Sequence, residues 1–317
     1  MPGNRTWSTR DIGDLAGTTA LVTGANNGLG FATTRELLLH GAHVVLACRD
    51  LDKGRAAVDQ LRPEVLASVG ELRTEVVQLD LSILSTVHSF AQAFMASHHR
   101  LDLLVNNAGV MMTPYGLTAD GHELQFGTNH LGHFALTGLL LGSLAAAPGS
   151  RVISLSSLAH RGGTMDFENP LFLEGGYTPV AAYNRSKLAN LLFTYELDQR
   201  LRAAGQETFA VAAHPGVVGT DLFGHVFDRP SLRPARALFN AVMPRPAQGA
   251  RPTLRAASDP GVHGGEYFGP GGPGEWRGAP RPAKRAAAAQ DPESARRLWE
   301  LSEALTQVSY LDAPSRE

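Results

Sequence analysis

Short apolar runs alternate with segments of helical periodicity along most of the chain. The runs are Thr18–Val22, His43–Ala47, Val76–Leu79, Leu101–Val105, Arg151–Leu155 and Phe209–Ala213, each short and bounded by turn residues, as expected of buried strands. Between them, Phe31–His40 has a helical pattern stopped by Gly41. Leu51–Val69 reads as a charged amphipathic helix interrupted at Pro63, and Thr86–Ala96 as a further helix. His122–Ala147 forms a long helical run, and another carries Tyr183 through Leu197 and Leu201 to Gly205. Strand and helix in regular alternation predict an α/β fold: a single Rossmann-type domain with a doubly wound parallel sheet and helices on both faces. No internal repeat is visible, and no linker divides two cores.

Composition narrows the setting. The 317 residues are 43% hydrophobic and 18% charged, enough for a sizeable core. A net charge of -2 and the lack of a basic face argue against nucleic acid as a partner and favour a small molecule. One cysteine, Cys48, excludes an internal disulfide framework or a thiolate cluster for zinc and suits a reducing cytoplasm. Met1 to Asp14 lacks the apolar core of a signal peptide. Phe134–Ala147, the longest apolar stretch, is broken by Thr137, Gly138, Gly142 and Ser143. It falls short of the roughly 18 residues of a membrane span and predicts a buried helix, with no stable membrane anchor.

The candidate chemistry sits where the predicted strands end. After the first comes Thr23-Gly24-Ala25-Asn26-Asn27-Gly28-Leu29-Gly30 and then a helix. Glycines there permit a tight turn and close approach, and the helix start offers N–H groups to a pyrophosphate. The second strand ends at Cys48-Arg49-Asp50. An arginine at this tip suits the 2′-phosphate of NADP, whereas a carboxylate prefers the free 2′-hydroxyl of NAD. Arg49 comes first off the strand, so NADP(H) is preferred, with NAD(H) as the alternative and an exposed loop ion pair as the competing role for Arg49. Asp80, after the third strand, is placed to cap the next helix or to accept from an adenine amino group. Asn106-Asn107-Ala108-Gly109 brings amides to a strand end, where they can tie strands together and line a cleft. Asn129 is an inner polar residue in need of a partner.

Ser156 and Ser157 end the fifth strand, and only one of two adjacent strand residues can face a substrate. Tyr183 and Lys187 stand four apart in a helical run, on one face. A lysine there is expected to draw the phenol pKa from about 10 toward neutrality and make it usable as acid or base. His214-Pro215-Gly216 leaves the sixth strand as a turn reaching Val218 and Thr220.

Taken together, Thr23-Gly-x-x-x-Gly28-x-Gly30, Asp80, Asn106-Asn107-Ala108-Gly109, Asn129, Ser157, Tyr183-x-x-x-Lys187 and Pro215-Gly216 resemble a classical short-chain dehydrogenase/reductase over nearly the whole chain. Ala47-Cys48-Arg49, Ser156 to His160 and His214-Pro215-Gly216 are similar to the retinol dehydrogenase and protochlorophyllide reductase-like branch. The resemblance implies a hydride-transferring oxidoreductase acting on a carbonyl or alcohol. Tyr183 would be its general acid or base, Lys187 the pKa modifier and a ribose ligand, Ser157 the donor to the substrate oxygen, and Asn129 the holder of a relay water. It further implies cofactor contacts from Gly24, Asn26, Asn27, Gly28, Leu29, Gly30, Arg49, Asp80, Leu81, Asn107, Ala108, Gly109, Tyr183, Lys187, Pro215, Gly216, Val218 and Thr220.

Past Asp221 the composition shifts. Phe223, Phe227, Leu232, Leu238, Phe239 and Met243 are spread among prolines and arginines, which predicts an apolar substrate lid over residues 217–250. With the long Met165–Gly176 segment it would shape a pocket for a bulky lipophilic substrate. Residues 261–317 form a C-terminal extension, with Tyr267-Phe268 as a short strand and Ser294–Val308 as a helix. Arg277, Arg281, Lys284 and Arg285 read as a solvated face. A homo-oligomer is compatible with the sequence. Three other readings compete. A non-catalytic NADP(H)-binding module would be marked by loss of the tyrosine or lysine. A nucleotide-sugar epimerase or dehydratase would have a different glycine spacing. Twelve histidines prompt a metal hydrolase, but His130 and His133 lack a His-Glu-x-x-His setting and no metal site is expected.

Overall fold

The structure, a computed structural model, describes residues 6–217 and 245–311. Eight strands form one sheet in the order β3-β2-β1-β4-β5-β6-β7-β8. They are β1 Thr19–Thr23, β2 His43–Cys48, β3 Thr74–Gln78, β4 Leu103–Asn106, β5 Arg151–Leu155, β6 Phe209–Ala213, β7 Tyr267–Pro270 and β8 Pro280–Pro282. All neighbours pair in parallel except β7 and β8. Tyr267 and Phe268 do form a strand, pairing with Ala212 and Ala213, so part of the C-terminal region completes the sheet.

Alternation along the strands divides the core into two layers. Ala20, Val22, Val44 and Leu46 pack with Leu37 and Leu38 of α1 (Gly28–Leu39), with Val58, Leu61 and Val65 of α2 (Leu51–Val69), and with Leu254 of the helix Arg251–Ser258. The intervening Leu21, Val45 and Leu104 pack on the other face. There they meet Phe90 and Phe94 of α3 (Leu84–Ser97), Phe134 in the helical run after residue 122, and Phe193 and Leu197 of the helix Pro179–Ala203. The sheet is thus buried on both faces, which is why its central strands are apolar throughout.

Three local expectations are corrected. Pro63 does not interrupt α2, which runs through it. Pro63 is exposed, so the carbonyl it leaves without a donor faces water, while Leu61 and Val65 on the opposite side hold the helix to the core. Asp80 does not cap α3. Its Oδ1 accepts from the backbone N–H (2.9 Å) and hydroxyl (2.6 Å) of Ser82, closing a turn, and Asp120 instead accepts from Leu84 N at 2.8 Å. The long run after residue 122 is not one α-helix. It comprises α4 (Leu124–Phe126), a π-turn over Gly127–Leu131, α5 (Gly132–Leu139) and α6 (Leu141–Ala145). The Pro179–Ala203 helix is α7; it starts on Thr178, whose hydroxyl accepts from Ala181 N.

Trp299, on the C-terminal helix Pro292–Thr306, is 1% exposed. Its ring meets Phe134 at 5.1 Å, Tyr310 at 4.7 Å and Phe193 at 6.0 Å, and the guanidinium of Arg200 lies 4.4 Å above it. Truncating so large a buried ring leaves a cavity that neighbours fill only in part. Trp299→Ala is expected to cost about 3–5 kcal/mol of folding stability, read from the midpoint of chemical denaturation.

Candidate active site

The strand order reverses between β1 and β4, and in open parallel sheets the crevice opens at the carboxyl ends beside such a point. On one side is the turn after β1. Gly24 and Gly28 have φ of 64° and 54°, and a Cβ on Gly30 would stand 2.2 Å from Gly24 O and 2.6 Å from Asn107 Nδ2. Only glycine fits at 30. Helix α1 begins at Gly28, and its N-cap Asn27 is extended and makes no side-chain cap. The first-turn N–H groups are therefore not taken by a capping side chain, and exposed Asn27 with the half-buried Asn26 and Leu29 line their approach.

Thr23 joins the two sides. Its Oγ1 accepts from the backbone N–H groups of Asn107 and Ala108, both at 2.9 Å, and lies 2.9 Å from His133 Nε2. Burial pushes His133 down to about 4, against a smaller opposing effect of its bond to Asn129 O, so the ring is neutral. Its Nδ1–H donates to Asn129 O (3.0 Å), which leaves Nε2 to accept from the Thr23 hydroxyl. Asn107 Nδ2 donates to Thr23 O at 2.7 Å, so the amide ties strand end to strand end as its position suggested. His133 is thus a core histidine, as expected, but one wired into the site.

Asn129 finds its partners inside the π-turn. Its Oδ1 accepts from Val110 N (2.8 Å), and its Nδ2 donates to Val110 O and to the Ser186 hydroxyl, both at 2.9 Å. This side chain clamps the segment after Gly109 to α7. Gly109 forms the floor between them: a Cβ there would stand 2.9 Å from Asn129 Oδ1 and 3.5 Å from Lys187 Nζ.

The two serines part as strand geometry requires. Ser156 is buried and donates to Lys187 O at 2.8 Å, a structural bond to α7. Ser157 is half-buried, accepts from Ala159 N, and stands near enough to the Tyr183 phenol to favour its ionised form. Ser157, Tyr183 and Lys187 therefore converge. The expected drop in the phenol pKa does not appear. Burial dominates and pushes Tyr183 up to about 12, with the nearby Ser157 hydroxyl pulling the other way. Lys187 Nζ lies 5.7 Å from the ring centroid, and burial lowers its own pKa to about 8. Desolvation disfavours the charged form of both groups. Lys187 has three N–H donors; the contact found among the described residues is one bond of 3.2 Å to Leu155 O.

At the far end, Arg49 is exposed and has no side-chain partner among the described residues, while its carbonyl accepts from Gln78. Asp50 is engaged locally, capping α2 through Lys53 N at 3.0 Å. Asp80 sits at the end of β3 in its turn, and Leu81, beside it, is buried against Gly132. Pro215 and Gly216 leave β6 at the same edge. Val218 and Thr220, and the Phe223–Met243 stretch, lie outside the described residues.

Glu275 and Arg161, not singled out from the sequence, support this last turn with His214. His214 Nδ1 accepts from Gly216 N (3.1 Å) and its Nε2–H donates to Glu275 Oε2 (3.0 Å). The same carboxylate takes Arg161 at 2.7 Å, and its other oxygen takes Lys284 N at 3.1 Å. Glu275 thus joins the loop after Ser157 to the loop after β6. Its place more than 50 positions beyond His214 left no spacing to find it by. Arg281 and Lys284, read as a solvated face, line a recess of about 660 Å³ beside it with Arg161 and Arg285.

A glycine cradle at a helix start, a buried tyrosine and lysine, and a half-buried serine beside them define a dinucleotide-dependent oxidoreductase. A family model described as short chain dehydrogenase matches residues 18–230. The chain is 41% identical over 310 residues to retinol dehydrogenase 14 of Mus musculus, covering 94% of this chain and 88% of that one. It is 41% identical over 309 residues to retinol dehydrogenase 13 of Homo sapiens, covering 95% and 87%. Among solved structures, an uncharacterised protein from Mycobacterium Paratuberculosis superposes with TM-score 0.78 at 41% identity, over 96% of this chain and 99% of that one. The Pseudomonas aeruginosa RhlG/NADP active-site complex matches at TM-score 0.60 and 25% identity, over 80% and 94%. The chain belongs to the short-chain dehydrogenase/reductase family, in its retinol dehydrogenase-like branch, and is an oxidoreductase of alcohol and carbonyl groups.

The Thr23 junction makes a stability prediction. Thr23→Val keeps the shape but strands the Ala108 N–H and leaves the Asn107 N–H with Val105 O alone, costing about 1–3 kcal/mol in urea denaturation. Thr23→Ser, which keeps the oxygen, should recover most of that loss.

Proposed function

We propose that this chain interconverts a carbonyl and an alcohol on a lipophilic small molecule with NADP(H), Tyr183 moving the proton. The observation that carries the reading is the convergence of Ser157, Tyr183 and Lys187 beside the Gly109 floor, with Lys187 holding N–H capacity toward it. The cradle at Gly24, Gly28 and Gly30 fits a pyrophosphate, and the uncapped first turn of α1 supplies donors to it. When bound, the nicotinamide supplies or accepts the hydride. Every other part of the reaction falls to the protein.

In the reductive direction the Tyr183 phenol donates its proton to the substrate oxygen while the Ser157 hydroxyl holds that oxygen. Burial keeps the phenol protonated across the working range, so the acid is ready for use. In the oxidative direction the phenol must first lose its proton, with Lys187 stabilising the phenolate from the same helix face. Asn129 holds Val110 and Ser186, fixing the Gly109 floor against α7; a relay water between its backbone and Lys187 is part of the proposal.

Arg49 supports NADP(H), since its guanidinium is exposed while the neighbouring Asp50 is turned to Lys53. Asp80 and Leu81 would border the adenine, and Pro215 with Gly216 the nicotinamide. Apolar residues on the rim support a lipophilic substrate. Among the described residues, five of the seven exposed large hydrophobics are Tyr115, Leu117, Leu173, Val180 and Trp276. They lie on the segments following Gly109, preceding Tyr183 and flanking Gly216. Residues 217–250 would act as the lid of a single domain. Placement in the cytoplasm rests on the lone thiol, Cys48.

Tyr183→Phe should abolish turnover of lipophilic ketones and aldehydes while NADPH binding, followed by fluorescence, persists; unchanged turnover would remove Tyr183 from the mechanism. With the native enzyme, alcohol oxidation should climb with pH between 6 and 9 on the order of the growth in phenolate, while carbonyl reduction stays nearly level. A level oxidation profile would argue against a phenol base. Arg49→Ala should raise KM for NADPH about tenfold or more and leave NADH nearly unchanged, since only the former loses a charge-assisted phosphate contact.

A further inference from the structure

At the amino ends of the strands, opposite the edge that carries Tyr183, three ligand-type side chains meet. His43 opens β2, Glu75 is the second residue of β3, and His98 caps the end of α3. His43 Nε2 and His98 Nε2 each lie 3.2 Å from the same oxygen, Glu75 Oε1. All three atoms fall within 4.8 Å of one another. The imidazole rings stack at 5.6 Å with planes 24° apart, and Phe94 stacks on the other side of His98 at 4.3 Å. The side chains are 26%, 45% and 11% exposed in chain order, open enough for an ion to enter and covered enough to be held.

Hydrogen bonding fixes which nitrogen of His98 is available. Its Nδ1 lies 2.9 Å from Ser97 Oγ and 3.3 Å from Phe94 O. The Ser97 hydroxyl spends its proton on Ala93 O at 3.0 Å, so Nδ1 carries the ring proton and donates. Nε2 then presents a lone pair to a carboxylate oxygen, an arrangement that asks for a positive centre between them. Backbone-anchored Nδ1–H is also the orientation that metal-binding imidazoles adopt. A proton on one ring can bridge one of the two 3.2 Å approaches; a cation answers both. Arg73, the nearby cation on this edge, is paired with Glu71 at 2.7 Å.

We propose that His43, Glu75 and His98 form a zinc-binding site that bolts the edge strands β2 and β3 to the end of α3. Zinc bonds of about 2.0–2.2 Å at tetrahedral angles put neighbouring ligand atoms roughly 3.3–3.5 Å apart, close to the two spacings present. The third edge, within 4.8 Å, closes when the His43 ring turns out of its stack on His98 so that both lone pairs meet the ion, and water completes the fourth position. Two imidazoles with one carboxylate suit zinc, whereas magnesium and calcium require sets made of oxygen. The residues come from three elements, at 43, 75 and 98, which is why no motif in the sequence announces them.

The test uses tag-free full-length protein, stripped with chelator and titrated with ZnCl2 by calorimetry, with metal content measured after desalting. One equivalent should bind and raise the melting temperature, while MgCl2 does neither. His98→Asn and Glu75→Gln should each weaken zinc by at least about 100-fold, more than loss of an outer contact. Melting of both variants in chelator should match the native protein, separating lost binding from lost folding. Absence of stoichiometric zinc in the native protein, equal retention by both variants, or an equal response to magnesium would overturn the proposal.

Discussion

Where the strand order turns between β1 and β4, the sheet opens, and the Thr23 hydroxyl and the Asn107 amide span the opening. Thr23 receives two backbone N–H groups from the far strand end and passes its own proton to His133, which in turn holds the Asn129 carbonyl. Remove that oxygen and only the Asn107 amide still holds the cradle after β1 to the strand end that leads to Gly109. The rest of the site depends on this relation, because pyrophosphate cradle and proton chemistry sit on opposite banks. Parallel strands impose the constraint: each must end in a loop at the same edge, and the loops have to be fastened to one another.

Burial then sets the character of the chemistry. Tyr183 and Lys187 lie on one face of α7, yet the low-polarity setting raises one and lowers the other, so each is held nearer its neutral form. Proximity alone does not activate a phenol; the charge must also be worth keeping out of water. A site that holds a phenol neutral starts as an acid. Phosphates brought in by a dinucleotide would favour the ammonium, and the ammonium the phenolate.

Much of this could be read from the chain. The strand–turn–helix after Thr18 and the four-residue spacing of Tyr183 and Lys187 are local patterns, and local patterns carry their geometry with them. Alternation leaves the two serines open and the resemblance picks Ser157; the bond from Ser156 to Lys187 O turns the other hydroxyl to α7. The π-turn was hidden, since hydrophobic periodicity over residues 122–147 is satisfied on average by a helix. The role given to Asp80 as a helix cap failed because a competing donor, Ser82, lies closer in sequence. Glu275 and the His43, Glu75 and His98 group are products of tertiary folding and have no spacing signature.

The π-turn has a consequence for how the family's chains can vary. Such a turn holds one residue more than the α-helix would need for the same rise, displacing everything beyond it by roughly a quarter turn. Upstream of the displacement, Gln125 reaches Met112 and Pro179; within it, Asn129 reaches Val110 and Ser186; beyond it, Phe134 meets Trp299. Deleting one residue would restore perfect helical geometry and mis-aim one of these groups. The segment is therefore held at fixed length by partners on both sides, an irregularity that the surrounding contacts protect from being ironed out.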